Sequence, residues 1–516
     1  MNRSFKKVVC LALMVVMVLT CSSAFACTGY YVGKDASVNG TYMIGHTVDA
    51  WNTAQSKQVV YPHSDEPGRT VTVNGAVEVP LPDTTYQYTS TPFIEGLWDN
   101  AVANEYGLTM TGSVTTYASA TMKAADPYTE NGASETWISG YIAATSATAR
   151  EALENYGKIM EEYGSSEPNT FMIADQNEAW YLESITGHQW IAVKMPDDCV
   201  AVFGNECMLG SLEGYVEGET MVHSADFFKL AEDNGQAVYD ENGNFDVFAS
   251  YVGERNLNAG ANRRTWYGHV LLAPSTAGDY NMYTRYDLFY QPDEKVSVED
   301  IFELTRSRFE GTEWNPEDTG RPDIRVIGIE RQLNCTVIEI DPTAPAAMSA
   351  TSWTTMANAE HSVYLPFNNI VTAVSDMYSY TPEGFDSSSY GYNLDYAHTH
   401  FKRLCALAEQ DREYYGTGVR DYWKSVESSI VAEWPSIMAE AAALYETDPA
   451  AAAEYVTNYY IEKQDKALAD ADTMYDELTW YMIANTNTMT YNSSRGEFNT
   501  WKNFVPSLSQ TEDAAN

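Results

Sequence analysis

Residues 27–49 read CTGYYVGKDASVNGTYMIGHTVD and contain two segments rich in β-branched and aromatic side chains. The segments are 28–32 and 41–44, and Gly33-Lys34 and Asn39-Gly40 between them are typical of turns. The pattern predicts two β-strands that pair as an antiparallel hairpin.

This hairpin brings the first residue of the segment close to its last. Antiparallel pairing of positions whose numbers sum to about 74 sets Cys27 beside roughly residue 47. We therefore expect His46 and Asp49 to lie near Cys27. An ionised Asp49 can accept a charge-assisted hydrogen bond from a cation at that place, which makes it a candidate orienting group.

The residues before Cys27 have the pattern of a secretory signal peptide. A basic start is followed by an apolar run at 8–19, and residues 24–26 read Ala-Phe-Ala, as a signal peptidase site requires. Cleavage there makes Cys27 the first residue of the mature protein, with a thiol and an α-amine on one residue. A thiol titrates near ~8.5 and an α-amine near ~8, so the amine can take the thiol proton at neutral pH.

Two other interpretations of Cys27 stay open at this point. A cysteine near a signal peptide can be a disulfide partner in the mature protein. It can also be the lipidated cysteine of a lipoprotein, in which case its amine is blocked. Phe25 is a poor fit to the small-residue pattern that lipidation expects.

The opening segment resembles that of the dipeptidase A family of cysteine peptidases, in the N-terminal-nucleophile hydrolase superfamily. The matching residues are Cys27, Thr28, Val32-Gly33-Lys34, Ala36-Ser37, Gly40 and Asp49. His46 stands where relatives carry an arginine beside the thiol. Because a histidine titrates near ~6.5, a positive charge there is present only part of the time. We expect activity to depend on His46.

The resemblance continues to about residue 420. Its segments are 104–108, 173–175, 179–183, 187–190, 196–198, 204–206, 295–300, 310–312 and 364–367. Asn205 matches the superfamily asparagine whose amide lines the oxyanion hole, a donor whose loss commonly costs about 10²–10³ in rate. Arg264 is similar to the arginine that supports the nucleophile, although Arg263 leaves that assignment open by one position. A backbone N–H near residues 113–114 is the expected second donor.

The resemblance also implies the fold, an α+β four-layer αββα sandwich of the N-terminal-nucleophile hydrolases. The pattern of short strands and helices over 27–380 predicts only α plus β. From about residue 395 the spacing becomes helical, with Pro435 and Pro449 marking breaks or first turns. The expected divisions are a signal peptide at 1–26, a catalytic domain at 27–390, a helical C-terminal extension at 391–506 and a disordered tail at 507–516.

Composition limits the partners. The chain has 30 Lys plus Arg against 72 Asp plus Glu, a formal net charge of −42. This charge argues against binding to nucleic acid or to anionic membranes. The mature region has no apolar run long enough to span a bilayer. Five cysteines remain after signal removal; Cys199 and Cys207 can pair only if the chain turns back between them, and five reduced thiols are equally compatible.

No metal or cofactor is expected. His398 and His400 have no further ligand at metal-binding spacing, and in a helix residues two apart do not share a face. The alternating polar residues at 240–246 lack the glycine and glutamate positions of a calcium loop.

We therefore expect a secreted, extracytoplasmic cysteine peptidase that hydrolyses dipeptides or short peptides, and a homo-oligomer remains open. The dipeptide preference comes wholly from the resemblance. One alternative is a non-peptide amidase of the same superfamily, acting on bile-salt, penicillin or acyl-homoserine-lactone amides. The other is a catalytically degenerate secreted or lipid-anchored binding protein.

Overall fold

The computed structural model describes residues 27–73, 77–96, 98–115, 117–253, 259–383, 385, 391–485 and 503–509. The expected signal peptide and residues 510–516 of the expected tail lie outside these ranges. The strands are β1 (Thr28–Val32), β2 (Tyr42–Asp49), β3 (Val59–Tyr61), β4 (Thr70–Val73), β5 (Val77–Pro80), β6 (Tyr88–Ser90), β7 (Val102–Asn104), β8 (Thr109–Val114), β9 (Asn169–Ala174), β10 (Ala179–Ser184), β11 (Trp190–Lys194), β12 (Val200–Phe203), β13 (Met221–His223), β14 (Gln332–Ile340), β15 (Ala350–Thr354) and β16 (Leu365–Asn368). The helices are α1 (Ala120–Ala125), α2 (Ile138–Thr145), α3 (Ala149–Glu162), α4 (Phe227–Asp233), α5 (Val247–Tyr251), α6 (Ala259–Leu272), α7 (Val298–Arg306), α8 (Pro316–Thr319), α9 (Asp376–Ser379), α10 (Ala397–Ala408), α11 (Thr417–Tyr445) and α12 (Pro449–Asn485).

Two antiparallel sheets form the centre of the molecule. The first has the strand order β12-β1-β2-β14-β15-β16, and the second has the order β13-β11-β10-β9-β8-β7-β6-β3. Strands β4 and β5 form a separate two-stranded sheet. The N-terminal strand β1 is therefore an inner strand of the first sheet, between β12 and β2.

The predicted hairpin is confirmed. Strands β1 and β2 pair antiparallel, with Thr28 opposite Thr47 and Gly29 opposite His46. The register differs by one residue from the predicted one. On its other side β2 pairs with β14. Gly45 allows these two strands to pack closely, because a Cβ at that position would lie 2.1 Å from the Thr336 carbonyl oxygen of β14.

Alternation along the strands produces four layers. One face of each sheet meets the other sheet through a shared apolar cluster that includes Tyr31 and Ile44 from the first and Tyr181 from the second. On the outer face of the first sheet, Trp266 of α6 and Ile301 of α7 belong to a second cluster. Helices α2 and α3 cover the outer face of the second sheet. The αββα sandwich is therefore confirmed.

The C-terminal helices α10–α12 pack on the helical side of the first sheet, which confirms the helical extension. Phe367 of β16 stacks on Tyr460 of α12 with ring centroids 5.0 Å apart. Pro449 begins α12 as its first residue, whereas Pro435 lies inside α11 without ending it. The neighbouring Trp434 packs edge-on against Trp353 of β15, so the helix contacts the sandwich at this point. The division at residue 390 stays a prediction.

A buried ion pair also joins the extension to the sandwich. Arg306 of α7 donates two hydrogen bonds to the Glu427 carboxylate of α11, at 2.6 and 2.8 Å. Glu427 also accepts from the Tyr364 backbone N–H at 2.9 Å. Within the described part of the chain, no helix is both long and apolar enough to cross a membrane.

Candidate active site

Cys27 lies immediately before β1 and is 2% exposed. Its nitrogen is still the peptide nitrogen bonded to Ala26 in this chain. Burial, and then the charges of Glu135 and Asp49, raise the pKa of the Cys27 thiol to about 12. Hydrogen bonds to the sulfur from the Asp49 backbone N–H and the Ser113 side chain oppose this rise. The thiol of the uncleaved chain is therefore protonated at neutral pH.

Asp49, the last residue of β2, is fully buried beside the nucleophile. Burial raises the pKa of its carboxyl, and the guanidinium groups of Arg325, Arg264 and Arg331 oppose the rise. Its Oδ2 forms an ion pair with Nη2 of Arg325. Its Oδ1 is buried and has no hydrogen-bond partner among the described residues. A buried carboxylate oxygen without a donor is costly, so this atom can accept a donor placed at Cys27.

Arg264 of α6 connects the nucleophile to Asn205. Its Nη1 donates to the Cys27 carbonyl oxygen and, at 2.9 Å, to the Thr28 hydroxyl. Its Nη2 donates to Oδ1 of Asn205 at 3.0 Å. Burial lowers the pKa of Arg264 to about 9, so it remains charged at neutral pH.

The contact with Arg264 orients the Asn205 amide. Because Oδ1 accepts from the guanidinium, Nδ2 faces the opposite way, 3.0 Å from the Ser113 hydroxyl and 2.9 Å from the Val114 carbonyl oxygen. The Ser113 side chain also contacts the Cys27 sulfur. The amide donor of Asn205 is therefore held on the side of the nucleophile. The Val114 N–H, expected near the oxyanion hole, instead donates to the Glu135 carboxylate.

Arg263, the neighbouring candidate, points elsewhere. Its guanidinium lies over the rings of Tyr280 and Trp314, at 4.9 and 4.1 Å from their centroids. Consecutive helical residues point about 100° apart, so only one of the two can reach the nucleophile. In this structure that residue is Arg264.

His46 is near Cys27 in the strand register, but its side chain enters the space between the sheets. Its Nδ1 hydrogen-bonds to the Thr111 hydroxyl of β8. Burial lowers the pKa of His46 to about 4, although a hydrogen bond with Asn100 opposes this shift. We expected activity to depend on His46 because it could place a positive charge beside the thiol. A neutral imidazole cannot provide that charge. The guanidinium groups of Arg264 and Arg325 carry that charge instead.

Arg325 is a site residue that sequence reasoning missed. It lies 276 residues from Asp49, in a loop between α8 and β14. No motif marks this loop, and nothing in the local sequence distinguishes Arg325 from Arg321 or Arg331. Only the folded chain brings it to Asp49.

A buried carboxylate holds the loop that follows Asn205. Glu183 of β10 accepts hydrogen bonds from the Cys207 thiol at 3.0 Å and from the backbone N–H groups of Met208 and Leu209 at 2.5 and 3.2 Å. Cys207 is therefore not paired with Cys199. All five cysteines of the described residues are free thiols.

The histidines of the His398-x-His400 segment have structural contacts. His398 hydrogen-bonds to the Leu333 carbonyl at 3.1 Å, and His400 lies between Asp472 and the Leu394 carbonyl. Over the ranges that the structure describes, no three His, Cys, Asp or Glu residues are grouped to hold a metal ion.

Taken together, a thiol at the candidate N-terminus, a buried carboxylate with its guanidinium, and an oriented side-chain amide meet at one place. This set contains the parts required for acyl transfer through a thioester: a nucleophile, an acceptor that can orient a base, and an oxyanion donor.

Comparison with known proteins agrees with this chemistry. The profile of peptidase family C69 matches residues 26–424. A probable dipeptidase B of Streptococcus pyogenes serotype M1 is 27% identical over 464 residues, covering 86% of this chain and 91% of the relative. A probable dipeptidase A of Streptococcus pyogenes serotype M18 is 26% identical over 409 residues, covering 77% of this chain and 85% of the relative.

Solved structures with similarity include a mutant of the conjugated bile acid hydrolase from Clostridium perfringens, at 10% identity and a TM-score of 0.30. The aligned region covers 66% of this chain and 92% of the hydrolase chain. Penicillin V acylase from Agrobacterium tumefaciens has 12% identity and a TM-score of 0.28, with 66% of this chain and 86% of that chain covered.

Proposed function

The chain belongs to peptidase family C69, and we propose that it is a cysteine-type dipeptidase that is secreted and becomes active when cleavage exposes Cys27. The relatives named probable dipeptidase A and B support the dipeptide substrate. The signal pattern at residues 1–26 supports secretion and the new N-terminus.

One observation carries this proposal: the buried Asp49 Oδ1 has no partner among the described residues. Cleavage after Ala26 would create an ammonium group on Cys27, whose sulfur already hydrogen-bonds to the Asp49 backbone. A charge-assisted hydrogen bond from that ammonium would satisfy Oδ1. The new positive charge would also favour the thiolate and lower the pKa of the Cys27 thiol.

The reaction then follows from the positions of these groups. In its neutral form the α-amine takes the proton from the Cys27 thiol and becomes the ammonium that donates to Asp49, and the thiolate attacks the scissile carbonyl carbon. Nδ2 of Asn205 would exchange its hydrogen bond to the Ser113 hydroxyl for one to the developing oxyanion, and Arg264 keeps that amide in orientation. The resulting ammonium gives its proton to the leaving amine as the C–N bond breaks. Water, deprotonated by the α-amine, hydrolyses the thioester and releases the first amino acid.

The test compares substrates on the processed chain. Purified protein that begins at Cys27 is incubated with dipeptides, and in parallel with a bile-salt amide, a penicillin and an acyl-homoserine lactone. We expect hydrolysis of the dipeptides and its loss in Cys27→Ser. Intact dipeptides together with cleavage of one of the amides would transfer the assignment to a non-peptide amidase. Sedimentation of the same sample would show whether the chain forms a homo-oligomer.

A further inference from the structure

Two glutamates lie close together near the nucleophile, of which Glu135 is buried and Glu167 is half-buried. Glu135, between α1 and α2, is 7% exposed. Its backbone N–H donates to Oε1 of Glu167 at 3.0 Å, and its own carboxylate accepts from the Val114 N–H. Within the described residues, no lysine, arginine or histidine pairs with either carboxylate.

This arrangement lacks a positive charge. Burial, and for Glu135 also the charge of Glu167, raise the pKa of both carboxyl groups. Two carboxylates in such a place can share a proton or bind a cation, because two like charges in a low-dielectric environment repel each other. An acid pair of one buried and one half-buried carboxylate, without a cation of its own among the described residues, is therefore suited to a cationic ligand.

The pair lies at the position where a peptide substrate would carry its cation. Val114, the donor to Glu135, follows Ser113, whose side chain holds the Cys27 sulfur. The amide of Asn205 contacts both Ser113 and Val114. In a dipeptide, the α-nitrogen lies only about 2.5 Å from the scissile carbonyl carbon, given the backbone bond lengths and angle. Whatever binds the α-ammonium must therefore lie beside the nucleophile.

Thr115 provides an independent observation. It is 7% exposed, and its hydroxyl is buried without a hydrogen-bond partner among the residues described. Its backbone N–H donates to the Pro168 carbonyl at 3.1 Å, which continues the extended pairing of β8 with the segment leading to β9. Alternation along β8 therefore puts Thr115 on the same face as Ser113, toward the nucleophile.

We propose that the Glu135 carboxylate binds the α-ammonium of the substrate's first residue, with the Thr115 hydroxyl as a second acceptor. Glu167 is a positioning residue, which holds the Glu135 backbone and adds negative charge behind it. This inference rests on the proposed peptidase function at Cys27. The inferred substrates are therefore peptides with a free amino terminus. A substrate without the α-ammonium would leave the carboxylates of Glu135 and Glu167 without a cation.

The test uses two substrates that differ only in the amine, alanyl-alanine and propanoyl-alanine, with release of alanine as the readout. For the processed wild-type enzyme we expect kcat/KM to be at least about 10²-fold higher for alanyl-alanine, the size of effect found when a buried charge pair loses one partner. In Glu135→Gln the ratio of the two kcat/KM values should fall by about this factor, so the preference disappears; the ratio is the readout because the Glu135 charge also raises the pKa of the Cys27 thiol, an effect common to both substrates. Thr115→Val should reduce the preference by a smaller factor, about 5–10-fold.

Failure of this inference can be distinguished from failure of the proposed function. A wild-type enzyme that hydrolyses neither compound would remove the peptidase function itself. Equal hydrolysis of both compounds would overturn the ammonium site alone. A change by the same factor on both substrates in Glu135→Gln, which would leave the preference intact, would assign Glu135 a purely structural role. If that variant does not fold, an unchanged preference in Thr115→Val would overturn the proposed subsite.

Discussion

Substitution of Arg325 by glutamine removes the cation that pairs with Asp49 while keeping a polar side chain of similar length. Asp49 is 0% exposed, and the loss of one partner of a buried ion pair costs about 3–5 kcal/mol when the other charge remains. The protein can avoid this cost by protonating the carboxyl. Burial already raises the Asp49 pKa, and Arg325 is the first of the groups that oppose the rise.

The expected result is a shift in the pH profile. Without Arg325 the Asp49 pKa rises further, so the carboxylate that orients the α-amine is lost at a higher pH than in the wild type. One pKa unit corresponds to 1.36 kcal/mol, and Arg264 and Arg331 still act on the carboxyl. We therefore expect the acid limb of kcat/KM to move upward by about one to two units, and activity on this limb to fall about 10–100-fold.

The assay is kcat/KM for dipeptide hydrolysis between about pH 5 and pH 9, with unfolding monitored across the same range. Arg325→Lys is the matched control and should recover part of the shift. His46→Gln is the second control: because the His46 imidazole is neutral, this variant should keep the wild-type limb and a rate within about 10-fold. A wild-type profile in Arg325→Gln, or a limb displaced only in His46→Gln, would refute the assignment of the positive charge to Arg325.

Three further predictions concern the oxyanion donor, the helical extension and the uncleaved thiol. Asn205→Ala should lower kcat by about 10²–10³ while Cys27 alkylation stays at the wild-type rate; a fall in alkylation of the same size would show that the variant damages the nucleophile instead. Glu427→Ala leaves the Arg306 guanidinium buried without its carboxylate, so the free energy of unfolding in urea should fall by about 3–5 kcal/mol, and a loss below about 1 kcal/mol would contradict the structural role of this pair. In a chain that retains Ala26, the Cys27 thiol pKa of about 12 should make alkylation by iodoacetamide at pH 7.5 (roughly the physiological range) much slower than in the processed chain, and equal rates would contradict this.

Much of the fold could be predicted from local patterns in the sequence. The hairpin was predictable because its turns and β-branched segments are adjacent in the chain, and its register was wrong by only one residue. The C-terminal helices were predictable from spacing, but the continuity of α11 through Pro435 was not. Beside Pro435 the helix packs on the sandwich through Trp434, a long-range contact that the spacing of residues in the helix does not reveal.

Some residues of the site could likewise be predicted from the local sequence, whereas others depend on long-range folding. Asp49 could be placed beside Cys27 by counting along one hairpin. The choice between Arg263 and Arg264 required the face of α6 that meets the sheet. The charge of His46 depends on burial between two sheets, which a single segment does not reveal. Arg325 and Glu135 have no motif and reach the nucleophile only through long-range folding.

The proposed mechanism requires the α-amine of Cys27 to act as the base. The most direct measurement is kcat for one dipeptide with two chains that differ by a single residue, one beginning at Cys27 and one beginning at Ala26, each verified by intact mass. We predict activity in the first chain, and in the second a loss of at least about 10²-fold, the lower range of a general-base contribution. Comparable kcat values for the two chains would contradict the account, because Cys27 would then act without a free amine.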